Sequence, residues 1–144
     1  MSTINKDEIL YQWLVDGLAH AFPITFEFLQ MVDGWAAVVN IPGEAAEPFV
    51  DGSAERQYDF MLQLAYMTSS DPDSPTNTDN MFSARQWQEW INEQEMAGNY
   101  PDFGASCSCY ELANLSDCPT MAGRQEDGLA KYQFPARLIY LEEK

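Results

Sequence analysis

RQYDFMLQLAYM, residues 56–67, is the most strongly patterned run in the chain. Its large apolar side chains fall on alternate positions, at Tyr58, Phe60, Leu62, Leu64 and Tyr66. Polar residues stand between them, at Gln57, Asp59 and Gln63. A period of two is typical of a half-buried β-strand, because successive side chains of a strand point to opposite faces. The run therefore predicts a strand with one face in the core.

A second run with the same alternation lies near the end of the sequence. It is KYQFPARLIYLE, residues 131–142, with its core-type residues at Tyr132, Phe134, Ala136, Leu138 and Tyr140. Cross-strand aromatic and aliphatic neighbours stabilise a sheet by about 0.2–1 kcal/mol each, so we predict that the two strands pair. Pro135 has no amide hydrogen to donate, and we expect its nitrogen to face a sheet edge or a bulge.

The first helix is predicted to begin at Asn5, a good N-cap residue, with Glu8 three positions later completing a capping box. Apolar residues then follow at helical spacing, at Leu10, Trp13, Leu14, Leu18 and Ala21. Pro23 cannot continue a helix, so we expect the helix to end before it.

The second helix is predicted to begin at Ser83 as N-cap, with Gln86 at the fourth position of a capping box. Phe82 is predicted to pack on Trp87 as a hydrophobic staple. Its predicted inner face comprises Trp87, Trp90, Ile91 and Gln94. Gly98 suits the left-handed position that follows a helix, and Pro101 prevents continuation.

The remaining segments supply shorter elements and loops. Residues 24–30 and 35–41 are predicted as two strands of a hairpin, because Asp33-Gly34 is a hairpin-type turn signal. Residues 42–53 and 121–128 are predicted as a loop and a turn, and a further strand is expected within 103–115. Residues 69–80 are too polar to bury apolar area and are predicted to form a mobile loop. The whole chain, 1–144, is thus predicted to be a single α+β domain, whose mixed or antiparallel sheet packs against two main helices.

Charge is the outlying property of the composition. Seven Lys and Arg stand against 23 Asp and Glu, which gives a net charge of −16. Such a surface repels phosphates and disfavours ordinary nucleic-acid binding. Solubility is the simplest explanation. The sharper alternatives are an acidic channel lining that lets DNA pass without sticking, and a DNA mimic that occupies a DNA-binding partner.

No run is long and apolar enough to predict a membrane span, and the N-terminus lacks the pattern of a signal peptide. We therefore expect synthesis in the cytoplasm and no contact with a membrane. Three cysteines, Cys107, Cys109 and Cys118, are an odd number and favour reduced thiols over a disulfide framework.

Motifs for catalysis or metal binding were sought along the whole chain. His20 follows Asp16 at helical spacing and is interpreted as a structural residue near a helix C-terminus. The cysteines lack the paired spacing and fourth ligand of a zinc site. Counted from Asp71, an EF-hand loop would place Thr76 and Phe82 where glycine and glutamate are required. No phosphate-binding glycine motif is present. The sequence therefore predicts no catalytic, cofactor or metal site, and a protein that is not an enzyme.

Several motifs together resemble a family of small proteins from long-tailed (siphovirus-type) bacteriophages and prophages, known as minor capsid proteins and similar in kind to tail terminators. The motifs cover about two-thirds of the chain and are Phe49-Val50-Asp51-Gly52-Ser53, Arg56-Gln57-Tyr58 with Phe60, Phe82, Trp87, Trp90-Ile91 and Gln94, Ala130-Lys131-Tyr132-Gln133, and Arg137-Leu138-Ile139-Tyr140. The segment from Ala105 to Asp127 departs from the pattern.

The resemblance implies a tail-terminator-like α+β structural subunit of the virion. Such subunits join into a homo-oligomeric ring, commonly a hexamer, that caps the tail tube at the head–tail junction. The implied partners are further copies of the chain, the tail tube protein and the head-completion or connector proteins. Assembly takes place in the host cytoplasm, and genome DNA passes through the lumen without specific binding.

Six residues are candidates for the ring contacts and the lumen. The loop acids Asp33, Glu44, Glu47 and Asp51 are free to project into a channel. Arg56 and Arg137 lie in the two main strands, where they can pair with acids of the same subunit or contact another. The alternative function is an acidic inhibitor or DNA mimic that acts on a host partner; an enzyme is the weakest of the three hypotheses.

Overall fold

The computed structural model describes residues 5–18, 22–42, 47–49 and 51–143, with the backbone alone at Glu47. These residues form two helices and seven strands. The helices are α1 (Lys6–Leu18) and α2 (Thr76–Ala97). The strands are β1 (Ile24–Phe26), β2 (Trp35–Ile41), β3 (Glu47–Pro48), β4 (Ala54–Met67), β5 (Cys107–Asn114), β6 (Thr120–Arg124) and β7 (Leu129–Glu142).

The two long strands predicted from sequence form the centre of one mixed sheet. β4 and β7 pair antiparallel over their full lengths, from Ala54 opposite Glu142 to Met67 opposite Leu129. The sheet order is β1-β2-β4-β7-β5, and the short strands β3 and β6 pair with β4 and β7. The predicted pairing and the α+β class are therefore confirmed.

Pro135 lies in the interior of β7, where a proline costs a ladder hydrogen bond. Its carbonyl accepts a hydrogen bond from the amide of Leu115 at 3.0 Å. The nitrogen of a strand residue points to the same side as its carbonyl. It therefore faces the interval between the end of β5 and the start of β6. Pro135 thus lies opposite the gap between β5 and β6, and not at the sheet edge or bulge that we expected.

Both helices pack on the same face of the sheet and close the core. This face carries the even-numbered residues of β4 and β7, and Phe60, Leu62, Phe134 and Leu138 have no exposed surface. Leu10 and Leu14 of α1 and Ile91 of α2 are equally buried against them. Burying such side chains contributes about 1.5–3 kcal/mol each and provides most of the stability of the fold.

The start of α1 confirms Asn5 as the N-cap and its pairing with Glu8. The Glu8 amide donates to Asn5 Oδ1 at 3.1 Å, and Asn5 Nδ2 donates to the Glu8 carboxylate at 3.3 Å. Asp7, in the same turn, accepts hydrogen bonds from the Tyr58 hydroxyl and from Asn40 Nδ2. Burial and the neighbouring Asp7 carboxylate raise the pKa of Tyr58. The first turn of α1 is thus fixed to β2 and β4.

The two helices approach each other closely at Gly17. A Cβ atom added there would lie 2.3 Å from Cζ2 of Trp90 in α2. The Trp90 ring also packs against that of Trp13, with the centroids 4.9 Å apart and the planes tilted by 55°. Gly17 therefore admits the Trp90 ring between the helices, a role that the sequence pattern did not indicate. Ala21 and His20 lie outside the described residues.

α2 begins earlier than predicted. Thr76–Asn80 are helical, so the prediction of a loop throughout 69–80 is wrong for these residues, and Ser83 is an interior helical residue and not the N-cap. The predicted staple is also wrong, since Phe82 is 64% exposed and Trp87 packs on Phe22. The inner face is confirmed for Trp87 and Ile91, and Gly98 ends the helix with φ 66° as predicted.

Polar side chains hold the first turn of α2 to the end of β4. Asn77 exchanges two hydrogen bonds with the Ser69 backbone, at 2.8 and 2.9 Å, and Asn80 Nδ2 donates to the Met67 carbonyl at 2.9 Å. These hydrogen bonds hold the first turn of α2 in place, although it buries little apolar surface. Residues 69–75 precede the helix and form a loop. Their mobility stays a prediction.

β1 and β2 do not form the predicted hairpin. They pair in parallel, with Ile24 opposite Ala36 and Phe26 opposite Val38. Glu27 adopts φ 66°, a left-handed conformation that ends β1 and turns the chain back. The Asp33-Gly34 turn exists, but it leads into β2 beside the end of β4, where Gly34 donates to the Ala65 carbonyl at 2.9 Å.

Two segments predicted without regular structure contain short strands. Glu47–Pro48 form β3 and pair with Ala54 and Glu55, inside the predicted loop 42–53. Thr120–Arg124 form β6 and pair with β7, so only the second half of the predicted turn 121–128 is a turn. The strand predicted within 103–115 is confirmed as β5.

Candidate interaction surface

The face of the sheet opposite the helices is not covered by either described helix. We call it the outer face; it carries the alternate residues of the three central strands. Its partly exposed apolar members are Trp35, Val39, Ile41, Met61, Pro135, Ile139 and Leu141, and its polar members include Gln57, Asp59, Gln63, Lys131, Gln133 and Arg137. Most of these side chains are only half-buried. Ala37, Ala65 and Leu129 share this face and are buried. Half-buried apolar groups on one continuous sheet face are typical of a contact surface.

An ion pair lies at the centre of the outer face. Arg137 donates from Nε and Nη2 to the two oxygens of Asp59, at 2.8 and 3.1 Å. Asp59 is 7% exposed, and such a bidentate pair has a fixed geometry. Gln63 and Gln133 form a second cross-strand pair at 3.2 Å. Gln57 Nε2 is buried without a hydrogen-bond partner in the described part of the chain.

Carboxylates accept three backbone amides along the margins of the sheet, whereas β6 is an exposed strand that pairs with β7 alone. The Leu112 amide of β5 donates to Glu95 of α2, and the Asn40 amide of β2 donates to Glu27 at 2.9 Å. The Met67 amide at the end of β4 donates to Asp33 at 2.8 Å. An added strand would have to displace these groups, so strand addition is disfavoured. The caps therefore protect β5, the end of β2 and the end of β4 from strand addition.

A groove of about 520 Å³ opens on one end of the outer face. The segment that follows β1 forms one wall, β6 forms the other, and Gln63 and Lys131 lie at its base; the lining is Glu27, Phe28, Leu29, Met31, Gln63, Ala122, Gly123, Arg124, Gln125 and Lys131.

The groove is cationic in a strongly acidic protein. Among the described residues, its cations are Arg124 and Lys131 and its one lining acid is Glu27, which already accepts the Asn40 amide. Arg124 Nε donates to the Thr68 hydroxyl at 2.6 Å and forms no ion pair with a described residue. Lys131 has neither an ion pair nor a side-chain hydrogen bond within the described residues. Phe28, at the rim, is 75% exposed.

The four predicted lumen acids do not form one cluster. Asp33 lies at the Met67 end of β4, whereas Asp51 precedes the other end of that strand. A strand of 14 residues is about 45 Å long, so these two acids lie far apart. Asp51 accepts hydrogen bonds from the Ser53 hydroxyl and amide, which hold the pKa of its carboxyl below the usual range. Glu47 belongs to β3 near Asp51, while Glu44 lies outside the described residues.

The two predicted arginines lie on opposite faces. Arg56 shares the helix-packed face and pairs with Glu142 at 3.0 Å, and Lys6 reaches the same carboxylate at 3.5 Å. Arg137 occupies the outer face. Both form ion pairs within the subunit, as the sequence interpretation allowed, and only Arg137 is placed on the candidate surface.

The cysteines are free thiols. Burial raises the pKa of Cys109 to about 11, which keeps this thiol protonated and unreactive at neutral pH. Within the described ranges, no three His, Cys, Asp or Glu residues are grouped to hold a metal ion. Neither described helix combines the length and apolar character that crossing a membrane requires.

Sequence reasoning did not identify Lys131, the groove or the outer face as candidates. The signal was present in part, because the alternation in β4 and β7 places apolar residues such as Met61 and Ile139 on the face assigned to solvent. The groove itself depends on the reversal at Glu27 and on β6, neither of which was predicted.

No protein-family model matches the chain, and comparisons with curated proteins and with solved structures likewise find no match.

Proposed function

We propose that the protein is a structural subunit of a tailed bacteriophage or prophage, which assembles into a homo-oligomeric ring capping the tail tube at the head–tail junction. The observation that supports this proposal most is the outer face, where apolar side chains of β2, β4 and β7 lie half-buried and no described helix covers them. A subunit that functions in an assembly needs such a face, and an isolated domain gains nothing from it.

The capped edges support the same proposal. Glu95 and Glu27 occupy backbone amides at which another strand would add, so that copies are directed to meet through side chains of a sheet face. Contacts of this kind have defined partners on both sides, whereas open edges promote unlimited pairing.

The net charge of −16 fits a ring through which DNA passes. Carboxylates around a channel repel the duplex, and basic groups there would retain it. Because Asp33 and Asp51 lie at opposite ends of β4, we propose that they flank the two mouths of a channel and do not form a single belt.

Solution mass is the first test of the proposal. Mass photometry and sedimentation, over a wide range of protein and salt concentration, should detect a closed oligomer with a fixed number of subunits. Salt should favour assembly, because the long-range repulsion between acidic subunits is screened beyond about 8 Å at physiological ionic strength.

Location in the virion is the second test. A gold-labelled antibody should bind at the junction between head and tail when particles from the producing host are viewed by electron microscopy. Labelling elsewhere, or a mass that stays that of a monomer or a two-fold dimer under all conditions, would contradict the ring and favour the acidic inhibitor or DNA mimic.

A further inference from the structure

We infer that the cationic groove of one copy binds the outward ridge of α2 in a second copy, which makes the contact between subunits head-to-tail. The inference rests on the proposed ring and names the surfaces that form it. The ridge comprises Phe82, Arg85, Glu89, Glu93 and Met96, which lie on the side of α2 opposite the buried Trp87 and Ile91.

Charge makes the groove and the ridge complementary. Glu89 and Glu93 are exposed, lie one turn apart, and form no ion pair with a described residue. Arg85 lies one turn before Glu89, so these three side chains keep a net negative charge, which a cation from a neighbouring copy would offset. Lys131 and Arg124 supply cations in the groove that are likewise without an ion pair in the described part of the chain.

Apolar groups at the ends of the ridge match those around the groove. Phe82 is 64% exposed and Met96 87%, and they lie about 21 Å apart along the helix axis. Phe28, Leu29 and Met31 line one wall of the groove. Contact between these groups removes from water the large side chains that the isolated subunit leaves exposed.

The charges also determine the symmetry of the contact. A two-fold contact with its axis through the groove would bring Lys131 and Arg124 close to the same residues of the second copy, and these like charges repel. The ridge and the groove lie on opposite faces of the sheet, so each copy can engage one neighbour on each side. A heterologous contact of this kind closes into a ring when the rotation between copies allows it.

Charge reversal tests the inference. Lys131→Glu should raise the concentration required for half-maximal assembly about tenfold or more, and so should the double variant Glu89→Lys with Glu93→Lys. Combining all three substitutions again opposes a carboxylate in the groove to cations on the ridge and, because Arg124 keeps its charge, should recover part of the lost assembly. Lys131→Gln, which introduces no carboxylate into the strand, should give a smaller loss in the same direction.

Matched controls separate this contact from a general effect of net charge. Arg56→Glu changes the net charge as Lys131→Glu does, but on the helix-packed face, and should leave assembly unchanged. Asp117→Lys with Glu143→Lys is the corresponding control for the ridge, and circular dichroism should show that every variant is folded.

The outcomes distinguish the inference from the proposed function. A wild-type ring that persists in Lys131→Glu, or a triple variant that fails to recover, overturns the groove-to-ridge contact and leaves the ring standing. A wild-type protein that never exceeds a dimer overturns the ring itself. Loss in each reversal with recovery in the combination supports both.

Discussion

The two faces of the central sheet are built from the same strands and differ in what they bury. On the helix-packed face, large apolar side chains such as Phe60 and Phe134 are completely excluded from water. On the outer face, apolar residues such as Met61 and Ile139 alternate with paired polar groups and stay half-buried. The first face provides most of the apolar burial of the fold, and the second keeps apolar side chains partly exposed to water. Substitutions on each face should therefore differ in what they change.

The largest expected effect is the truncation of a core side chain. Phe60→Ala should lower the free energy of unfolding by about 3–5 kcal/mol, because it removes a fully buried ring and leaves a cavity. Met61→Ala, its neighbour on the outer face, should cost at most about 1 kcal/mol. Urea denaturation of both variants measures the difference, and equal losses would show that the two faces do not differ as described.

Replacing Gly17, which lies between the two helices, by alanine should destabilise the protein, although alanine normally stabilises a helix relative to glycine. In an exposed helix, Gly→Ala gains about 1 kcal/mol. Gly17→Ala should instead cost about 1–3 kcal/mol, because the new methyl group overlaps the Trp90 ring. Gly17→Ala combined with Trp90→Leu, which removes that ring, should show no further penalty from the methyl group. A stabilised single variant would contradict the close approach of α1 and α2.

The ion pair on the outer face should have an intermediate effect. Arg137→Met leaves the Asp59 carboxylate buried without its bidentate partner and should cost about 1–3 kcal/mol. The double variant with Asp59→Leu should be less unstable than the sum of the single changes, since no charge then remains uncompensated. Additive losses in a double-mutant cycle would indicate that the two residues act independently.

The edge cap should have the smallest effect on stability. Glu95→Ala removes the acceptor of the Leu112 amide and should cost about 1 kcal/mol. It also exposes the edge of β5, so slow aggregation on storage, followed by light scattering, should increase. Glu95→Gln keeps an acceptor oxygen and should behave almost as wild type. Equal aggregation of all three proteins would remove the protective role of the cap.

The sequence predicted those elements that are determined by residues close to one another along the chain. The alternation in residues 56–67 and 131–142, the Asn5 capping box and Gly98 at the end of α2 each act within a few residues. The pairing of β4 with β7 also followed, because two strands with aromatic faces are the best partners available to each other.

Features that depend on distant residues were not predicted. The parallel pairing of β1 with β2 requires the left-handed turn at Glu27, a residue with no strong preference for that conformation. The first turn of α2 is polar because it lies beyond the core and is held by Asn77 and Asn80 to the β4 end. The groove is lined by four separate stretches of the chain, residues 27–31, 63, 122–125 and 131, so its cations were not recognised as a set.

Footprinting with hydroxyl radicals tests the central claim, that the outer face is the contact surface of an assembly. Oxidation of Met61 and Trp35 should be measured by mass spectrometry in the dilute subunit and in the isolated oligomer, with the exposed Tyr110 as internal reference. We predict strong protection of Met61 and Trp35 in the oligomer and little change at Tyr110. Equal oxidation of the outer face in both states would show that this surface stays open to water, and the account of the two faces would be wrong.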